Sequence, residues 1–279
     1  MASGVLPYDN DDHFNNNTKN PDANSYCPNN NPFLSFGGRQ WWINYHWSQQ
    51  TGTYADEPFK SIFDPKIIEK VGDAVRLWIR RPTQSNQPWR TSELVLANKL
   101  GWGRYLVTAR VDGGGSFSDL DPNAVFGAFT YQYSEAPPSN GPNIHREIDA
   151  LEVLRGGNSN AQFTLQPYDY SNPHPWNPFT IPPNTPVITI VLDWVLEGGV
   201  ERGAYFALFL GDYSLDTLPP IQSGFQFWAP GHKGFAKLIP DHTDTSCERF
   251  HINLWLMHGA APAREQSVLL TRFQYKTLP

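Results

Sequence analysis

Apolar and polar side chains alternate singly along short stretches of this chain. Val75, Leu77 and Ile79 are interleaved with Arg76, Trp78 and Arg80, and Tyr105, Val107, Ala109 and Val111 with Leu106, Thr108 and Arg110. A period of two sends successive side chains to opposite faces, which is the pattern of a strand with one buried side. The same reading predicts strands over 41–47, 92–97, 124–132, 145–154, 161–166, 187–195, 204–210, 250–257 and 267–275. That makes about eleven strands and no amphipathic helix. Turn chemistry separates them at Val71-Gly72-Asp73, at 112–115, at Gly156-Gly157-Asn158 and at Glu197-Gly198-Gly199, where Gly, Asn and Asp supply tight connections. Helical crossovers are missing, so the pattern excludes a parallel sheet. It predicts an all-β domain, an antiparallel β-sandwich of the jelly-roll kind, over 33–279.

Residues 8–32 break this pattern. They are dominated by Asn, Asp and Pro, with Asn15-Asn16-Asn17 and Asn29-Asn30-Asn31 tracts, and have almost nothing to bury. Residues 1–32 are therefore expected to form a polar arm. Asp9 and Asp11 invite a calcium reading, but neither the Gly nor the closing Glu of an EF-hand loop follows them.

The composition narrows the function classes. Lys and Arg number 21 against 27 Asp and Glu, a net charge of −6, the wrong sign for gripping a phosphate backbone. No apolar run is long enough to span a bilayer. Charged residues make up 17% and aromatic ones 14%, with 10 Trp, 12 Tyr and 17 Phe, so some rings are expected to face solvent or ligand. Cys27 and Cys247 are too few for a disulfide scaffold, though one long-range bridge between them is open. The first seven residues lack the basic start and apolar core of a secretory leader, which leaves a cytoplasmic protein or a leader already removed.

The segment His145-Arg146-Glu147-Ile148-Asp149-Ala150-Leu151-Glu152-Val153 carries the candidate chemistry. Glu147 and Asp149 share a face; Glu152 joins them only if Ala150 or Leu151 is extruded as a β-bulge. Three like charges on one face repel and contribute nothing to a strand. A retaining glycosidase, by contrast, needs two carboxylates about 5 to 5.5 Å apart, one to attack the anomeric carbon and one to protonate the leaving oxygen. The structural alternative is that the acids pair with Arg146 or Arg155 on a solvated face. His145 lies on the Glu147 face, and Gln162, Thr164 and Gln166 alternate with Phe163 and Leu165 on the next strand, so these polar groups would flank the acids if the strands pair. Tyr168, Tyr170 and Trp176, in the Pro-rich loop 167–183, together with Trp228 and Trp255, are candidate walls for sugar rings; packing aromatics are the competing account. His242, Cys247, His251 and His258 fit no standard zinc spacing, and no metal is assigned.

Glu147-Ile148-Asp149-Ala150-Leu151-Glu152 resembles the bulged active-site motif of glycoside hydrolase family 16, the laminarinase and lichenase type of β-glucanase. The resemblance extends in order through Ser92-Glu93-Leu94, 101–105, 125–131, Val191-Leu192-Asp193-Trp194 and Asn253-Leu254-Trp255. It departs at Phe126 and Phe129, where the family often carries Trp, and at His145-Arg146, where it carries a small residue. It implies a concanavalin A-like jelly roll and an endo-acting, retaining hydrolase of β-1,3 or mixed β-1,3/1,4 glucan. Glu147 would be the nucleophile, Asp149 its assistant and Glu152 the general acid/base. His145, Gln162, Gln166, Phe129, Tyr168, Trp176 and Trp255 would contact the polysaccharide. No cofactor is required; a structural calcium is allowed by the resemblance without assignable ligands. A monomeric, secreted or cell-envelope protein without nucleic-acid or membrane partners is expected. A non-catalytic lectin on the same fold, or a transglycosylase, is the alternative.

Overall fold

The structure, a computed structural model, describes residues 33–44, 47–48, 53–54, 62–81, 89–132, 142–156, 158–197, 201–242, 247–257 and 260–278. The expected arm 1–32, with Cys27, lies outside them. In chain order the strands are β1 (Phe33–Phe36), β2 (Arg39–Ile43), β3 (Trp47–Ser48), β4 (Thr53–Tyr54), β5 (Ile62–Phe63), β6 (Glu69–Val71), β7 (Ala74–Ile79), β8 (Arg90–Leu96) and β9 (Gly103–Val111). They continue as β10 (Ala124–Tyr131), β11 (Ile148–Gly156), β12 (Ser159–Leu165), β13 (Trp176–Phe179), β14 (Val187–Glu197), β15 (Glu201–Leu210), β16 (Phe225–Pro230), β17 (Arg249–Leu256) and β18 (Gln266–Lys276). The helical segments among the described residues are 3-10 turns of three residues each; no helix there is long and apolar enough to cross a membrane.

Two sheets face each other. One has the order β1-β2-β8-β17-β10-β11-β12-β13, with β5 beside β8; the other runs β16-β15-β14-β9-β18-β7-β6. Between them lies a continuous core. Phe126 and Ala128 of β10, Phe163 and Leu165 of β12 and Phe250, Ile252 and Leu254 of β17 meet Val107, Ile190, Phe206 and Leu270 of the opposing sheet. Each large apolar side chain so buried stabilises the fold by about 1.5–3 kcal/mol. The alternate residues of the first sheet point away from the core onto its outer face, termed the cleft face.

All eleven predicted strands are present, the one expected over 41–47 ending at Ile43, and β1, β3, β4, β5, β6, β13 and β16 come in addition; three further details differ. The pairing of β5 with β8 is parallel, a two-residue exception to the expected antiparallel sheets. Residues 112–115 form no hairpin: they carry the chain from β9 in one sheet toward β10 in the other. The strand expected from 145 begins only at Ile148, because Arg146 takes a φ of 53°, a left-handed conformation that interrupts extended backbone. The turn at Val71-Gly72-Asp73 does form a hairpin, with Val71 opposite Ala74 and Gly72 at a φ of 60°, as the two-residue loop requires.

Candidate active site

The acids sit where β11 is irregular. Against β10, Leu151 is opposite Ala128 while Asp149 is opposite Phe129; against β12, Asp149 is opposite Thr164 and Glu152 opposite Gln162. One residue more is used on β11 than on either neighbour, so the strand bulges at Ala150-Leu151. Both bulge side chains are buried in the core together with Ile148 and Val153. Glu152 is thereby returned to the face that carries Asp149, and Glu147 approaches from the segment just before the strand.

The three carboxyls interact directly. Asp149, 3% exposed, is hydrogen-bonded to Glu147 and accepts from Gln166 Nε2 at 2.9 Å. Glu152 accepts from Gln162 Nε2 at 2.8 Å. Burial, together with the charges of Glu152 and Glu93, pushes Glu147 up to about 8, with the hydrogen bond to Asp149 pulling it down. Burial and then the charges of Glu147 and Glu152 hold Asp149 well above the usual carboxylate range; burial also raises Glu152, against the pull of Gln162. Three such groups titrate as a unit. The expected rival arrangement, pairing with Arg146, does not form: Arg146 is buried and its guanidinium turns to the side chain and carbonyl of Asp241.

The residues named beside the acids divide into distinct roles. Gln162 and Gln166 are on the cleft face, but their amides engage Glu152 and Asp149, which makes them holders of the carboxyls. Phe129 lies on the floor against the His251 ring at 5.0 Å. His145 Nδ1 is 3.0 Å from the Gln132 carbonyl and its ring stacks on Tyr131 at 5.1 Å. Trp176, in β13 opposite Thr164, borders a hollow of about 500 Å³ that Leu154, Ser159, Gln162, Pro178 and Thr180 also line. Tyr168 is 66% exposed, at the tip of its loop. Two ring candidates are corrected. Trp255 is 8% exposed because it packs with Phe63 and Val125, and Trp228 pairs with Tyr205 on the other sheet, away from the acids.

Other partnerships were not legible in advance. Glu93 of β8 is buried and hydrogen-bonded to His251 Nδ1 of β17, 158 residues away in sequence. His242 is bonded to Glu248 and Cys247 is disulfide-bonded, so two of the loosely clustered histidines already have carboxylate partners; His258 lies outside the described residues. Among the described residues no group of three or more His, Cys, Asp or Glu is placed to hold a metal ion.

No protein-family model matches the sequence, and no curated protein matches it. Solved structures share the fold. A prokaryotic β-1,3-1,4-glucanase (lichenase) from a mouse hindgut metagenome aligns over 91% of this chain and 97% of its own, with a TM-score of 0.53 and 17% identity. A Bacillus licheniformis β-glucanase aligns over 89% and 97%, with a TM-score of 0.54 and 15% identity. A Mycobacterium tuberculosis immunostimulatory antigen and pseudo-β-1,3-glucanase aligns over 86% and 91%, with a TM-score of 0.55 and 16% identity. The chain thus has the two-sheet jelly-roll fold of the glucanase structures.

Proposed function

We propose that this protein is a retaining glycoside hydrolase acting on internal β-glucosidic bonds of a polysaccharide, with β-1,3 or mixed β-1,3/1,4 glucan as substrate. The observation that carries the reading is the bulge at Ala150-Leu151, which returns Glu152 to the face of Asp149, whose carboxyl is in turn hydrogen-bonded to Glu147. Glu147 attacks the anomeric carbon. Glu152, which burial raises above the usual carboxylate value, protonates the departing oxygen and then takes a proton from the water that opens the glycosyl-enzyme. Asp149, which burial raises well above the usual carboxylate range, is hydrogen-bonded to Glu147 and pulls it back toward the ionised form that attacks. The hollow beside Trp176 offers an aromatic ring and amide groups to a sugar unit, the usual composition of a ligand site. The disulfide at Cys247 supports a secreted protein, since such bonds persist in oxidising compartments.

The test is release of reducing ends from laminarin, lichenan, agarose and xyloglucan by the purified protein, together with Glu147→Gln and Glu152→Gln. Glu147→Gln should abolish turnover of every substrate. Glu152→Gln should still form the intermediate from an aryl glycoside with an acidic phenol, and azide should rescue it with a β-glycosyl azide as product. A second reading, a glycan-binding lectin, is favoured by the pseudo-glucanase among the structures of the same fold. Binding of β-glucan by the unmutated protein with no reducing ends released would establish it.

A further inference from the structure

Glu147 does not belong to a regular strand, so something else must fix it. The residues around it supply that. The Asn143 side chain clasps the Glu147 peptide from both ends: its Oδ1 accepts from the Glu147 N–H at 2.8 Å, and its Nδ2 donates to the Glu147 carbonyl at 2.8 Å. The same Nδ2 donates to the Leu238 carbonyl at 2.8 Å, tying the clasp to the segment that follows the 3-10 turn Phe235–Lys237. That segment is anchored in turn, because Trp194 Nε1 donates to the Pro240 carbonyl at 3.2 Å and Asp241 receives the Arg146 guanidinium. Arg146, immediately before Glu147 and at a φ of 53°, also donates its N–H to the Asn143 carbonyl at 3.2 Å. Asn143 is buried, so its hydrogen bonds do not compete with bulk water; their loss would take the Asn143 acceptor from the Glu147 N–H and leave the Glu147 carbonyl only the longer bond from the Gln166 N–H at 3.4 Å.

We propose that Asn143 is a positioning residue for Glu147: by bonding both polar groups of the Glu147 peptide and the Leu238 carbonyl, it fixes the carboxyl where Asp149 reaches it. The proposal rests on the reading of Glu147 as the attacking group and adds to it the element that aims the attack. A reacting atom displaced by about 1 Å is enough to cost a factor of about a hundred. The group bonded to the Glu147 carboxyl is Asp149, and the charges acting on it are Glu152 of the same segment and Glu93 of β8. Displacement of the carboxyl from Asp149 therefore removes the one interaction that favours its ionised form.

The experiment pairs kinetics with a readout that needs no turnover. Asn143→Ala, compared with the unmutated protein at equal folded fraction by circular dichroism, should lower kcat on β-glucan by roughly ten- to a hundredfold with KM nearly unchanged. Separately, a 13C-carboxyl titration of Glu147, assigned by the resonance lost in Glu147→Gln, should show its midpoint moving to higher pH in Asn143→Ala. Asn143→Ser adds no charge and is too short to bond both Glu147 backbone groups; it serves if Asn143→Ala does not fold, and should shift the midpoint in the same direction. An unchanged Glu147 midpoint, with activity lost only in proportion to unfolded protein, would reduce Asn143 to a strut and overturn the proposal. If the unmutated protein cleaves none of the glucans, the hydrolase reading falls by itself, while the titration midpoint still decides whether Asn143 holds the Glu147 carboxyl.

Discussion

Clustering three carboxyls on a buried floor has a thermodynamic consequence that Glu147→Gln isolates. Glu147 is raised from 4.5 to about 8. Below pH 4.5 both folded and unfolded chains carry its proton. Between the two values the unfolded chain ionises while the folded one does not, so stability falls as pH rises, and above about 8 the loss is complete. A shift of this size corresponds to a ceiling of about 5 kcal/mol at about 1.4 kcal/mol per unit. Glu147 keeps part of its surface in water, which screens the charge, so a loss of roughly 2–3 kcal/mol is expected. The neutral amide in Glu147→Gln removes that term and relieves Asp149, which the Glu147 charge also raises. Urea unfolding at pH 5 and at pH 9 reads the effect: the variant should lose about 2–3 kcal/mol less than the unmutated protein between the two pH values. Parallel losses in the two proteins would show that Glu147 titrates normally and that the three acids are not coupled.

Two further substitutions separate roles on the cleft face. Trp176→Ala should weaken oligosaccharide binding by about 0.5–1.5 kcal/mol beyond lost contact area with little change in melting temperature. Trp255→Ala, which empties the packing with Phe63 and Val125, should instead destabilise by about 3–5 kcal/mol; calorimetric titration and thermal melts of both variants show whether the assignment is reversed. Gly127→Ala should also be felt, because a Cβ there would lie 2.6 Å from Asn253 Oδ1, between Asn253 and Glu152 in the cross-strand row. An overpacking cost of about 1–3 kcal/mol in thermal unfolding is expected, and a variant as stable as its parent would mean that the Asn253 side chain swings freely.

How far the sequence reveals this molecule depends on how many neighbours constrain each strand. Central strands pack on one face and pair on both edges, so β9 and β17 carry an apolar residue at every second position that can be read directly, and β10 and β14 read as longer apolar runs. Edge and short strands escape it. β1 is only Phe33-Leu34-Ser35-Phe36, and β13 is Trp176-Asn177-Pro178-Phe179 inside a Pro-rich loop, where pairing from one side suffices and Pro is tolerated. The site divides in the same way. The acids are legible because their spacing and flanking apolar residues are local, whereas the Glu93–His251 bond and the Asn143–Leu238 link join segments far apart in sequence. Trp255 shows the reverse error: a ring on the cleft side of an alternating strand reads as exposed until Phe63, from a distant strand, covers it.

The bulge explains why such a costly cluster is tolerated at all. In a regular β11, Leu151 would turn to the cleft and Glu152 into the space between the sheets, where a carboxylate without a partner costs several kcal/mol. The extra residue lets Ala150 and Leu151 both enter the core, so no apolar burial is lost and the acid regains contact with water and with Gln162. What is left unfavourable is confined to the repulsion among Glu147, Asp149 and Glu152. The raised proton affinity of all three weakens that repulsion, and the amides of Gln162 and Gln166 bond one acid each. A purely structural strand would be better served by replacing any one of the acids. The presence of all three on one face is therefore what the proposed hydrolase, and not the strand, requires.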